Sequence, residues 1–322
     1  MPSKSSKTSS RASAYQLYLG VDGGGTKTSV ALINDAGKTV ATSEDGPSNP
    51  LRVGVETAVA NIAAAVNKAC DAGGLSRDDI VAATLGLAGV RRRDIRERVR
   101  ESFAMRFRLR KIDITTDAEI ALYATTLGLP GLAVIAGTGS ICIGVNDAGE
   151  KFIAGGWGPI AGDEGGGRGI AGEALHAVAK ASDGRGPQTN LSERAAEYFR
   201  ASSPENLIGA IYAPKMDNSR ISGFAKEVVE TALDGDKIAR EIIADAGREL
   251  GTAAVAVLKK LGLQKRKVPI GCVGGVFNAG RLLTKPMSEI ITKHAPKAYL
   301  TSAQMPPSHA AALLAMKNGE KV

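Results

Sequence analysis

Cysteine is scarce in this chain, and what there is lies scattered. Cys70, Cys142 and Cys272 stand about seventy or more positions apart with no C-x-x-C pair. That spacing signals neither a zinc site nor a cysteine-held iron–sulfur cluster, and free thiols in a reducing cytoplasm are expected. Long apolar runs are also lacking. None approaches the ~20 residues of a membrane span, so a soluble, cytoplasmic protein without a membrane partner is expected. No G-x-x-x-x-G-K-[ST] loop occurs, and no glycine fingerprint opens a helix after a strand, which excludes P-loop and Rossmann nucleotide binding. Tryptophan occurs once, as Trp157.

Residues 1–14 lack the apolar block of a secretory signal. Rich in Ser, Lys and Arg, they read as a disordered tail. The formal charge of +8 is concentrated rather than spread: residues 91–111 hold ten arginines and lysines against Asp94, Glu97 and Glu101. Such a stretch could meet nucleic acid. However, Ile95, Val99, Phe103 and Phe107 recur in it at helical spacing, so the arginines read as the solvated side of an amphipathic helix. No nucleic-acid partner is expected.

Glycine, in contrast, is plentiful and patterned. Leu17–Val21 and Val30–Ile33 have strand length and are joined by Asp22-Gly23-Gly24-Gly25-Thr26-Lys27. Three glycines would let the backbone turn at positive φ and bring bare N–H groups to an anion. Thr26 adds a hydroxyl, Lys27 a cation, and Asp22 a hard oxygen ligand suited to Mg²⁺. An ordinary glycine hairpin is the competing reading. A third strand is expected over Lys38–Ser43. A helix follows in which Val55, Val59, Ile62, Val66 and Cys70 form one stripe, then a strand Ile80–Leu87, the arginine-rich helix, a strand Lys111–Thr115, and a helix opened by Asp117.

After Gly128–Gly131 the same order begins again. Leu132–Ala136 leads into the turn Gly137-Thr138-Gly139-Ser140, and Ile141–Val145 and Lys151–Ala154 complete a second meander. The segment 157–172, with Gly162-Asp163-Glu164-Gly165-Gly166-Gly167, is too glycine-rich to serve packing and should line a ligand. Helical patterns fill 172–262. A strand Val268–Val273 then ends in Gly274-Gly275-Val276-Phe277-Asn278-Ala279-Gly280, followed by a helix, a short strand and a helix. The expectation is an α/β protein of duplicated β-β-β-α-β-α-β-α halves, with an N-terminal domain over 15–128 and a C-terminal domain over 129–322 carrying a helical insertion.

The motif order resembles the actin-like (ribonuclease H-like) ATPase superfamily, and within it the N-acetylglucosamine kinase group of the BadF/BadG/BcrA/BcrD-type ATPases. The resemblance rests on Asp-Gly-Gly-Gly-Thr-Lys at 22–27, Gly-Thr-Gly-Ser at 137–140, Gly-Gly-Trp-Gly at 155–158 and Gly-Asp-Glu-Gly at 162–165. It implies two actin-like domains with a central cleft, and an ATP- and Mg²⁺-dependent amino-sugar kinase that phosphorylates the 6-hydroxyl of N-acetylglucosamine. Glucosamine, or the role of an ATP-hydrolysing activator of a partner enzyme, is the alternative. It further implies phosphate contacts from Gly23, Gly24, Gly25, Thr26, Lys27, Gly137, Thr138, Gly139 and Ser140. Adenosine contacts would come from Gly274, Gly275 and Asn278, and sugar contacts from Asn49, Asp117, Thr138, Trp157 and Asp163. Asp117 would be the catalytic base and Asp22 the metal residue; a homodimer is expected. For Asp117 a helix N-cap, and for Trp157 a core anchor, are the competing readings. The chain departs from the family in Gly166, where a Ser is frequent, and it lacks the cluster cysteines of the activators and any zinc loop.

Overall fold

The computed structural model describes residues 16–214 and 216–319. The tail expected over 1–14 lies outside the described residues. The chain divides into two compact units. Unit 1 runs up to Ile120 and resumes at Met305; unit 2 is Ala121–Gln304.

In unit 1, β1 (Leu17–Gly23), β2 (Thr28–Ile33) and β3 (Thr39–Asp45) form the antiparallel meander. Helices α1 (Pro50–Val53) and α2 (Val55–Gly73) then carry the chain across to β4 (Ile80–Leu87). Next come α3 (Arg93–Phe107), β5 (Ile112–Thr116) and α4 (Asp117–Thr126). The sheet order is β3-β2-β1-β4-β5, with β1, β4 and β5 parallel. β1 and β2 are apolar and buried almost throughout, whereas β3, at the edge, alternates with the pleat. The stripe Val55, Val59, Ile62, Val66 and Cys70 is the buried face of α2, which Gly74 ends in the left-handed conformation. In α3, Ile95, Val99 and Phe103 are buried and Phe107 stacks on Phe103 at 4.2 Å. The arginines thus form the outer side of a helix that the sheet needs for its core.

Unit 2 repeats the plan. β6 (Gly131–Ala136), β7 (Ser140–Val145) and β8 (Lys151–Gly155) form the meander. The helical stretch follows: α5 (Gly167–Ser182), α6 (Leu191–Phe199), α7 (Leu207–Ile211), α8 (Asn218–Gly223), α9 (Ala225–Leu233) and α10 (Lys237–Lys260). Then come β9 (Pro269–Val273), a 3₁₀ turn over Gly275–Ala279, α11 (Arg281–His294) and β10 (Tyr299–Ser302), after which α12 (Pro307–Gly319) returns the chain to unit 1. The order β10-β9-β6-β7-β8 is that of the first sheet, strand for strand. α11 lies close along α10 because Gly247 and Gly251 present no side chain to the carbonyls of Leu283 and Met287.

The division differs from the expected one at both ends. The boundary falls inside α4, not after 128, and α12 belongs to unit 1. Its face of small residues, Ala311, Ala312 and Ala315, is fully buried, and Ser308 and Ala312 lie so close to β1 that any side chain at Gly20 would collide with their backbone. The last helix is therefore shaped to fit the first strand. Among the described residues no helix is long and apolar enough to cross a membrane.

Candidate active site

In unit 1 the predicted residues gather at the carboxyl ends of the parallel strands, where open α/β sheets bind ligands. Asp22 is the last residue but one of β1, and Asp117 directly follows β5. The loop between β1 and β2 differs in one respect from expectation: none of Gly23, Gly24 and Gly25 has a positive φ. Their glycine character has other causes. A side chain at Gly23 would collide with the Ser48 hydroxyl and Leu87, and one at Gly25 would meet the Arg52 guanidinium, with Nη1 at 2.8 Å. At Gly24 a Cβ would meet only the Lys27 carbonyl, 3.5 Å away. The loop closes through Gly24 N–H donating to Lys27 O at 2.9 Å. The N–H groups of Gly25 and Thr26 carry no intramolecular bond among the described residues, which is the condition for holding an anion.

A second segment is tied to this loop. Gly24 O accepts from the N–H groups of both Ser48 and Asn49 at 3.1 Å, and Gly25 O accepts from Arg52 Nη1 at 3.1 Å. Asn49, expected at the sugar, caps α1 by accepting from Leu51 N–H at 3.0 Å. Lys27 has a different partner from the phosphate it was expected to meet: its ammonium is 2.6 Å from Glu44 on β3, which also accepts from Ser29 at 2.8 Å.

The competing reading of Asp117 as an N-cap is answered by its neighbours. Thr116 Oγ1 accepts from Glu119 N–H at 3.2 Å, while Glu119 Oε2 accepts from Thr116 N–H at 3.1 Å. This is a reciprocal capping box. Glu119 also accepts from the Thr115 and Thr116 hydroxyls. Asp117 therefore stands one residue inside the cap, its Oδ1 accepting from Ala118 N–H at 2.9 Å. Burial pushes its carboxyl above the usual carboxylate range.

Asp22 is raised further, to about 6, first by burial and then by the negative charge of Asp117, with Lys27 pulling the other way. Folding thus favours the protonated form of Asp22, so its contribution to stability is full below 3.8 and lost as the pH rises through about 6. The two pH units between these values correspond to roughly 3 kcal/mol at most. Asp22→Asn, without ligands, should therefore melt above the wild type at pH 8 and level with it at pH 4. Thermal melts at the two pH values check this, and a wild type that is the more stable at pH 8 would sink it.

In unit 2 the second glycine turn and the Asp163–Gly167 segment are built into each other. Gly167 N–H donates to Gly137 O and Arg168 N–H to Thr138 O, both at 2.8 Å. Gly166 packs so closely that a Cβ would lie 2.5 Å from the Gly139 carbonyl carbon, which explains why glycine replaces the frequent Ser. A Cβ at Gly139 would lie 2.5 Å from the Asp163 carboxylate. The buried Ser140 hydroxyl donates to Glu164 O at 2.6 Å. Gly139 and Ser140, expected at the phosphates, are thus committed to packing, whereas Gly137 has open space before it and Thr138 is exposed. Asp163 holds a positive φ of 65°, and burial raises its pKa above the ordinary value. Trp157 is 77% exposed, so it is not a core anchor; Ile160 beside it is wholly exposed.

Gly137 and Thr138 open onto a cavity of about 550 Å³ that also takes in Gly275 and Asn278. Two motifs about 140 residues apart in sequence are thereby brought to one pocket, while Gly274 stays outside it, with a φ of 109° and its α-carbon turned against Ala136. The opposite wall comes from α8 and α9, through Ser222, Lys226, Val229, Glu230 and Leu233. The sequence reading missed this wall. Its one available signal is Leu233, an exposed leucine on an otherwise well-patterned helix.

A model of the BadF/BadG/BcrA/BcrD ATPase family matches residues 19–315. The chain belongs to this family. Use of ATP comes with that membership. The N-acetyl-D-glucosamine kinase of Dictyostelium discoideum is 33% identical over 94% of this chain and 98% of its own. An N-acetylmuramic acid/N-acetylglucosamine kinase of Clostridium acetobutylicum is 30% identical over 93% and 98%. A Chromobacterium violaceum structure, named as a candidate N-acetylglucosamine kinase, superposes with a TM-score of 0.77 at 24% identity over 94% of this chain and 99% of that one. This family member has the two-unit α/β fold of such kinases, with its glycine motifs at strand ends.

Proposed function

We propose that the protein transfers the γ-phosphoryl group of ATP to the 6-hydroxyl of N-acetylglucosamine. The observation that carries the chemistry is Asp117, a partly buried carboxylate released from helix capping by Thr116 and Glu119. A sugar hydroxyl is a poor nucleophile until a carboxylate takes its proton. In the proposed step the hydroxyl oxygen forms the new bond to the γ-phosphorus, its proton passes to Asp117, and the bond from phosphorus to the β,γ-bridging oxygen breaks to leave ADP. Burial raises the pKa of Asp117, so activity should climb with pH as this base ionises.

Positioning and charge neutralisation supply the rest. The free N–H groups of Gly25 and Thr26 suit phosphate oxygens, and the cavity at Gly137, Thr138, Gly275 and Asn278 has room for a nucleoside. Asp22 and Asp117 repel each other across a partly buried site, a donor set that fits Mg²⁺, which takes one or two carboxylates and keeps substrate phosphates as its other ligands. Bound there by Asp22, the ion would neutralise phosphate charge. The acetyl preference rests on the named relatives and on the exposed apolar cluster Trp157, Pro159 and Ile160, which offers a wall for a methyl group. Asn49 and Asp163 are proposed for the sugar hydroxyls. A cytoplasmic location, in keeping with three free thiols, and a homodimer complete the proposal.

The test is a sugar panel read by coupled ADP release, comparing kcat/KM. N-acetylglucosamine should lead. A tenfold preference for glucosamine, about 1.4 kcal/mol in the transition state, would reject the acetyl wall. Hydrolysis indifferent to every sugar would reject the kinase.

A further inference from the structure

We infer that a second cavity in unit 2 binds a small apolar molecule with one anionic head group, received by Arg168. The cavity, of about 590 Å³, is lined by α5, the turn Pro204–Asn206, α7 and Ile221 of α8. Its size is that of a small-molecule site. Leu175, Val178, Leu207, Ile211 and Ile221 make most of its lining apolar. Ile208 and Tyr212 also line it, and both are largely exposed. None of the residues proposed for ATP or sugar takes part, so the inference does not depend on the kinase proposal.

Arg168 sets the charge of the ligand. Its guanidinium makes no hydrogen bond, ion pair or ring contact among the described residues, and its Nε is buried without a partner. A buried donor left unpaired costs free energy that a ligand accepting from it removes. The other charged groups of the lining, His176, Asp183 and Glu205, are all exposed, and Asp183 already pairs with Arg185 at 2.7 Å. Arg168 is also held in place. Its backbone N–H donates to Thr138 O at 2.8 Å, and its Nη1 lies over Gly172, 3.2 Å from where a side chain would begin there. Glycine inside a helix costs about 1 kcal/mol relative to alanine. At Gly172 it leaves room for the guanidinium on the cavity wall. A carboxylate or a phosphate can accept two bonds from that planar fork, while the apolar body of the ligand meets the leucines and isoleucines.

The test is calorimetric titration of the full chain, without nucleotide or sugar, with octanoate, octyl phosphate, octanol and octylamine as probes. At least one of the two anions should bind saturably, about tenfold or more tighter than octanol or octylamine, as a hydrogen bond to a charged group allows. The tighter anion identifies the head group. Arg168→Met should weaken that binding by about tenfold or more and, unliganded, melt no lower than the wild type, since it buries no unpaired donor. Ala179→Trp, at an exposed position of the lining, should weaken it by about as much with the guanidinium intact, because the ring fills the space of the apolar body. Equal binding of all four probes, no saturation by either anion, or anion binding that either variant retains would overturn the inference. So would a wild-type dimer that Ala179→Trp splits while no anion binds, which would assign the cavity to a second copy of the chain.

Discussion

Asp117→Asn should retain N-acetylglucosamine binding and lose phosphorylation by about 10²–10⁴-fold, the contribution of a general base. The change is nearly isosteric and removes only the proton acceptor. Its structural cost should be small, because the start of α4 is held by Thr116 and Glu119, and the Ala118 N–H can still donate to the asparagine oxygen. Calorimetry of sugar binding, a thermal melt and the rate belong together here. A variant that keeps more than about a tenth of the wild-type rate would move the base elsewhere, and one that melts several degrees lower would make Asp117 a structural residue.

The second large effect separates two glycines of one turn. Gly137 faces open space at the mouth of the 550 Å³ cavity, so Gly137→Val should fold normally and raise the KM for ATP tenfold or more, about 1.4 kcal/mol. The sugar KM should hold within about twofold. At Gly139 a Cβ would lie 2.5 Å from the Asp163 carboxylate, in a segment where Gly166 is equally tight against Gly139. Gly139→Ala should therefore cost about 1–3 kcal/mol of stability by overpacking and raise the sugar KM through Asp163. Steady-state kinetics with each substrate varied, next to melts, resolve the pair. Equal damage to both affinities from Gly137→Val would show that this turn serves folding rather than nucleotide binding.

These two residues show where sequence reading stops. Gly-Thr-Gly-Ser at 137–140 marks a tight turn between strands, and the motif is legible because turn chemistry is local. Which of its members faces open space and which faces protein is not local. It depends on Asp163 and Gly166, more than twenty residues away. Thr116 and Glu119 are a counter-example. Their three-residue spacing is a capping signature visible in the sequence, and it marks Thr116 rather than Asp117 as the cap. The cavity wall of α8 and α9 carries no motif, because lining a cavity asks only for small or amphipathic side chains that any helix can show.

By itself the sequence determined the strand and helix order of both halves, through apolar periodicity and glycine punctuation acting over a few residues. It also determined the family, through a few short motifs in order. Tertiary structure alone decided the partners. Lys27 meets Glu44 seventeen residues on, and Arg52 meets Gly25 across twenty-seven. The C-terminal helix closes on β1, where Gly20 leaves room for it. Spacing within an element is set by bond geometry and is written in the chain. The pairing of two charged or close-packed groups is set by which elements share a sheet end, and that becomes known only once the sheet has formed.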